Sequence, residues 1–219
     1  KTCKVCGVTS GSKLDHTYKK VTTKATQTKN GTIKNICTVC GYTSSKVTTI
    51  YKASKISLSK TSYTYNGKVQ KPSVIVKDSV GKTISSSNYT VTYASGCKSA
   101  GTYNVTVKMK GNYTGTKTLA FKINPSKTTI SKLTAGKKSI KVAITKKSTQ
   151  VTGYQIQYST SKKFTKAKTK TISSYKTTKY TLKSLSPKKT YYVRVRTYKK
   201  VGKTKYYSGW STYKYVKTK

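Results

Sequence analysis

Four cysteines in two pairs, Cys3-Lys4-Val5-Cys6-Gly7 and Cys37-Thr38-Val39-Cys40-Gly41, are the residues of this chain whose types and spacing best suit chemistry. A two-residue spacer lets both thiolates of a pair face one ion, and the glycine that follows can take the positive φ that turns backbone amides toward the sulfurs. Two pairs supply four tetrahedral ligands, so the spacing predicts a structural Zn2+ at Cys3, Cys6, Cys37 and Cys40. The middle spacer of 30 residues is longer than the roughly 15–20 usual for this pattern. A pair of disulfides in an oxidising compartment is the competing reading, and the spacing leaves it open. Either role is structural, because a segment so short and polar cannot fold on its own apolar area. His16, the one histidine, could be a substitute ligand but reads as a surface residue. Cys97, in Ser95-Gly96-Cys97-Lys98, reads as an incidental surface thiol, since a reactive cysteine would want a histidine beside it.

A second constellation lies near the C-terminus. In the run from Thr190 to Lys200 the apolar residues Tyr191, Val193 and Val195 alternate with Tyr192, Arg194, Arg196 and Tyr198, and Lys199 and Lys200 follow. A cation row flanked by aromatics is a surface that binds polyanions or stacks on sugars and bases, so Arg194, Arg196, Tyr192, Tyr198, Lys199 and Lys200 are the candidate polyanion-binding residues. The competing reading is a solvated sheet face made of strand-forming residues.

Charge bounds the function classes. The 219 residues carry 47 Lys+Arg against 2 Asp+Glu, a net charge of +45. Glutamate is absent and the acids are Asp15 and Asp78. Paired-carboxylate hydrolysis, carboxylate-rich Ca2+ or Mg2+ sites and Asp-His-Ser triads have almost nothing to be built from, so the chain reads as not an enzyme. Salt bridges cannot balance the lysines, which must be solvated, kept apart or neutralised by a partner.

Turn residues divide the chain into three segments, 1–50, 51–125 and 126–219, carrying +8, +11 and +26. In the middle segment Tyr103, Val105, Val107 and Met109 alternate with polar residues, the pattern of a strand with one buried face. Further strands are predicted at 55–59, 62–65, 73–77, 89–93 and 116–123, with Asn66-Gly67, Val80-Gly81 and Gly111-Asn112 as turns between them. In the third segment Ile140, Val142 and Ile144 alternate, as do Tyr154, Ile156 and Tyr158. The fold class is all-β: two tandem β-sandwiches after a small four-cysteine, zinc-ribbon-like module. No stretch is long and apolar enough for a transmembrane helix, and a chain starting at Lys1 reads as a piece of a longer protein.

The third segment resembles a fibronectin type III domain, in Val151 to Tyr158, Leu182 to Leu185, Pro187, Thr190 to Arg196 and Ser208-Gly209-Trp210-Ser211. The resemblance places Tyr191 at the tyrosine corner, its hydroxyl bonded back to the preceding backbone. It also departs from the family, with Ile144 standing about where a strand-B tryptophan is usual. The middle segment, with Tyr65-Asn66-Gly67-Lys68, Asn88-Tyr89-Thr90-Val91 and Gly111-Asn112-Tyr113-Thr114-Gly115, resembles the immunoglobulin-like repeats of large secreted proteins from gram-positive anaerobes. The first segment is similar to the short C-x2-C-G modules found beside those repeats, which share His-x-Tyr with His16-Thr17-Tyr18.

These resemblances imply a secreted or cell-surface bacterial protein in which this chain is a non-catalytic accessory module. Joined to the charge, they predict a stalk or adhesion segment, monomeric and not inserted in a membrane, that binds anionic polymers such as teichoic acid, acidic glycans or extracellular nucleic acid. Lysine is a mobile point charge without arginine's planar fork, so selection by charge density is expected. The alternative is a dedicated nucleic-acid-binding protein with charge-driven, sequence-independent affinity.

Overall fold

In the computed structural model residues 16–219 are described. The Val, Ile, Thr and Tyr between the lysines form strands throughout, and among the described residues there is no α-helix, so the protein is all-β. Two compact units divide it. The first holds the residues up to 59, with 72–93 and 104–119; the second holds 60–71, 94–103 and 120–219.

The first unit opens with an antiparallel sheet of β1 (Tyr18–Thr23), β2 (Gly31–Cys37) and β3 (Thr48–Ile50), in that order. Thr26 closes the β1–β2 hairpin, its hydroxyl accepting from the backbone N–H groups of Thr28 and Lys29 at 3.1 and 2.8 Å. Gly31 is required there, since a Cβ would lie 2.2 Å from the Thr23 carbonyl oxygen. Ala25 just before the turn is buried; its N–H donates to the Asn112 carbonyl and its own carbonyl accepts from Thr114. β4 (Lys55–Leu58) pairs antiparallel with β6 (Val74–Lys77), and Ile56, Val76, Ile84, Val107 and Met109 form the core.

The four-stranded sheet runs β5 (Ser62–Thr64), β9 (Thr116–Asn124), β8 (Gly101–Met109), β7 (Tyr89–Tyr93). Along β8 the alternation holds: Val105, Val107 and Met109 are buried while Asn104 and Lys108 are exposed. Cys97 departs from expectation. It is buried at 1% exposure, with its sulfur 3.0 Å from the Ala94 carbonyl oxygen. A turn at Gly96, with φ of +85°, carries the thiol inward instead of onto the surface.

In the second unit one sheet is β10 (Ile130–Gly136), β11 (Ser139–Ile144) and β14 (Lys179–Leu182). The other is β13 (Lys168–Ile172), β12 (Gly153–Ser159), β15 (Thr190–Val201) and β16 (Thr204–Tyr207), with β17 (Lys214–Lys217) also on β15. Ile140, Val142 and Ile144 from the first sheet meet Tyr154, Ile156, Tyr191, Val193 and Val195 from the second in one buried cluster. Ile144, at the position where tryptophan was missing, is part of that core.

Candidate metal centre and cation ladder

The β1–β2 register sets Tyr18 opposite Cys37, which brings His16, just ahead of β1, to the knuckle that ends β2. In that knuckle Gly41 takes φ of +70° and donates its N–H to the Cys37 carbonyl at 3.1 Å, while the Val39 N–H points at the Cys37 sulfur at 3.4 Å. His16 Nδ1 lies 3.6 Å from Cys40 Sγ, and the ligand atoms of His16, Cys37 and Cys40 all fall within 4.8 Å of one another. That is close enough to hold a metal ion. The imidazole is stacked on Tyr42, with centroids 5.4 Å apart, and tilted against Tyr18 at 5.7 Å. The backbone N–H groups of Cys40 and Val39, with the His16 ring, stabilise the Cys37 thiolate and pull its pKa down to about 6. Cys3 and Cys6, the other half of the expected site, lie outside the described residues.

The second constellation is organised by a strand edge. β15 pairs with β17 over Thr190 to Val193 and with β16 over Tyr198 to Val201, leaving 194–197 without a partner strand on that side. Ser208 and Ser211 fill the gap. The Ser211 hydroxyl accepts from the Val195 N–H at 3.0 Å and the Ser208 hydroxyl from the Thr197 N–H at 3.1 Å, while the two serine N–H groups donate to the Val195 and Thr197 carbonyls. Between these serines, Trp210 comes to lie over the arginines.

The result is a ladder of rings and cations. Arg194 has its guanidinium carbon 4.0 Å from the Phe164 ring and 4.9 Å from Trp210; Arg196 is 4.0 Å from Tyr207 and 4.3 Å from Trp210. Each also donates to a cross-strand glutamine in register: Arg194 Nε to Gln157 Oε1 at 2.7 Å, Arg196 Nε and Nη2 to Gln155 Oε1 at 2.9 and 2.7 Å. The glutamine amides pass the bond on to Thr169 and Thr171. Desolvation lowers both guanidinium pKa values, yet arginine stays charged at neutral pH. In a chain without glutamate, amide oxygens and ring faces do the work of counter-ions, each cation–π contact contributing about 0.5–2 kcal/mol.

The candidate polyanion residues are thus placed unequally. Tyr192 is half-buried against Tyr213 and Tyr215, Lys199 is half-buried and Lys200 is exposed. Tyr198, expected on the open face, is buried at 3%. It stands opposite Gly153, and its ring covers that glycine so closely that a Cβ there would sit 3.0 Å from it. Phe164, Tyr207 and the two glutamines were not among the candidate site residues, and Trp210 entered only through the fibronectin resemblance. Gln155 and Gln157 alternate with Tyr154 and Ile156 and so belonged visibly to the outer face.

Tyr191, buried in the sandwich core, accepts a hydrogen bond at its hydroxyl from the Ser186 N–H at 3.0 Å, the tyrosine corner of a two-sheet antiparallel module. Residues 124–213 match the family described as fibronectin type III domain, and this C-terminal sandwich is such a domain. The match spans less than half the chain and assigns the domain alone. Domains of this family are generally non-catalytic, scaffold-type modules and typically extracellular. Similar solved structures include chicken CNTN1 FN1–FN3 domains (15% identity, 87% of this chain and 77% of that one, TM-score 0.37). Domains A168–A170 of titin match at 14% identity, 95% and 84% coverage and a TM-score of 0.33. A two-domain fibronectin type III segment of chicken tenascin matches at 14%, 93% and 100%, with a TM-score of 0.38. No curated protein matches the chain. Among the described residues no helix is long and apolar enough to cross a membrane.

Proposed function

We propose that this chain is a secreted or cell-surface module of a larger bacterial protein, a stalk and adhesion segment that binds anionic polymers through its lysines. The observation that carries this reading is the net charge of +45 with two acidic residues. Attraction to polyanions at low salt follows from it. The arginines have their Nε–H groups and neighbouring rings engaged within the domain, so the attraction falls mainly to lysine. A groove of about 270 Å³ on the outer face of β10, β11 and β14 supports a place for it. There Lys132 and Lys179 flank Ala143 across the strands, with Lys141 one row on between Thr134 and Thr181. A small residue between lysines leaves room for a phosphate, sulfate or carboxylate.

The same reading gives the N-terminal cysteines a structural Zn2+, since Cys37 and Cys40 form half of a tetrahedral set. Retention of the full chain on heparin, teichoic acid and DNA columns tests the polyanion reading. Indifference to all three below physiological salt overturns it. A sequence-dependent preference among duplexes at fixed salt would instead favour a dedicated nucleic-acid-binding protein.

A further inference from the structure

We infer that His16 is itself a metal ligand, its Nδ1 holding one corner of a tetrahedral zinc site whose next two corners are the Cys37 and Cys40 thiolates. This rests on the reading that the N-terminal module is stabilised by metal, and it changes the ligand set from four sulfurs to a mixed one.

Geometry carries the assignment. Zn–S and Zn–N bonds of about 2.3 and 2.0–2.1 Å at the tetrahedral angle set sulfur and nitrogen about 3.5 Å apart. His16 Nδ1 and Cys40 Sγ are 3.6 Å apart, and Cys37 Sγ lies within 4.8 Å of both. The separation also suits a single S–H···N hydrogen bond, but such a pair would not need a second sulfur beside it. Cys37 and Cys40 meet through the knuckle, and the hairpin register delivers His16 to them from 24 residues away from Cys40. Stacking on Tyr42 restricts the ring, so the nitrogen is held toward the sulfurs before any ion arrives. Two thiolates and an imidazole select zinc over calcium or magnesium, which take oxygen. One corner remains, and in the sequence Cys3 and Cys6 are the two cysteines that compete for it.

The chain has one histidine, so its imidazole signals are unambiguous in a spectrum of the whole protein. The test loads the reduced, metal-stripped full chain with cobalt(II) for absorption and with zinc for long-range 1H–15N correlation. The expected result is one metal per chain, a charge-transfer band of three-thiolate strength, and a His16 ring in the Nε2–H form with Nδ1 shifted by zinc. His16→Gln should weaken zinc binding about a hundredfold, and His16→Cys should restore it while raising the band to four thiolates. The wild-type spectra decide the matter even if a variant fails to fold. A four-thiolate band with an imidazole indifferent to zinc overturns the His16 assignment and leaves a metal site standing. No metal uptake, or cysteines recovered as disulfides, overturns both.

Discussion

The Arg196 guanidinium lies 4.3 Å from the centre of the Trp210 ring, a contact that helps join the segment along the edge of β15 to the outer face of its sheet. Ser208 and Ser211 anchor the segment to the strand backbone, and Trp210 between them also reaches Arg194 at 4.9 Å. Trp210→Ala should therefore cost about 2–4 kcal/mol, from lost ring burial and two lost cation–π contacts. A double-mutant cycle with Arg196→Ala should give a coupling of about 0.5–2 kcal/mol. Trp210 is the single tryptophan, so its fluorescence should follow unfolding of the ladder directly. A coupling of zero in denaturant melts would mean that the stacking contributes nothing.

The tyrosine corner separates ring packing from hydroxyl bonding. Tyr191→Phe strips the acceptor from the Ser186 N–H and should cost about 1–3 kcal/mol, whereas Tyr191→Ala should cost about 3–5 kcal/mol. Tyr192→Ala, on the outer face, should cost far less than Tyr191→Ala. Equal losses at 191 and 192 in urea melts would contradict the burial of alternate residues on β15.

The lowered pKa of Cys37 makes the metal-free, reduced protein sensitive to pH. The folded value, about 6, lies below the ordinary 9.0. The thiolate is thus favoured by folding, its contribution is complete above about pH 9, and it is lost as the pH falls through about 6. Thiolate absorbance at Cys37 should titrate near pH 6, and the melting temperature of the N-terminal sheet should rise between pH 6 and 9. Cys37→Ser should abolish that rise; a rise that survives the substitution would assign it elsewhere.

Salt should move stability and binding in opposite directions. Folding gathers like charges, and a Debye length falling from about 30 Å at 0.01 M to about 8 Å at 0.15 M should raise the melting temperature. Polyanion affinity should fall log-linearly with salt through counterion release. Replacing Lys132, Lys141 and Lys179 together by Gln should reduce the slope measured on duplex DNA by about 2–3. An unchanged slope would place the binding lysines outside the β10–β11–β14 groove.

The sequence by itself determined which residues face inward along β8 and along β15 as far as Thr197. Alternation is a property of neighbouring residues, so Val105, Val107, Val193 and Val195 announced their burial before any partner strand was known, while the corner at Tyr191 was implied by the resemblance to fibronectin type III domains. With two aspartates and no glutamate, the sequence likewise left few carboxylates to pair with the arginines. What stands over an outer face depends instead on residues far away in the chain, and only the tertiary structure decided it. Alternation put Tyr198 beside Arg196 on the open face, but the register opposite Gly153 let its ring lie down and become buried. Trp210 reaches Arg194 and Arg196 because two serine hydroxyls complete a strand edge that β16 and β17 leave bare. His16 read as a surface loop residue until the pairing of Tyr18 with Cys37 carried it to the thiolates. Periodicity is written in adjacent residues, whereas register arises from hydrogen bonds between distant ones: the Cys37–Cys40 knuckle was legible in its spacing, but the arrival of His16 beside it was made by register.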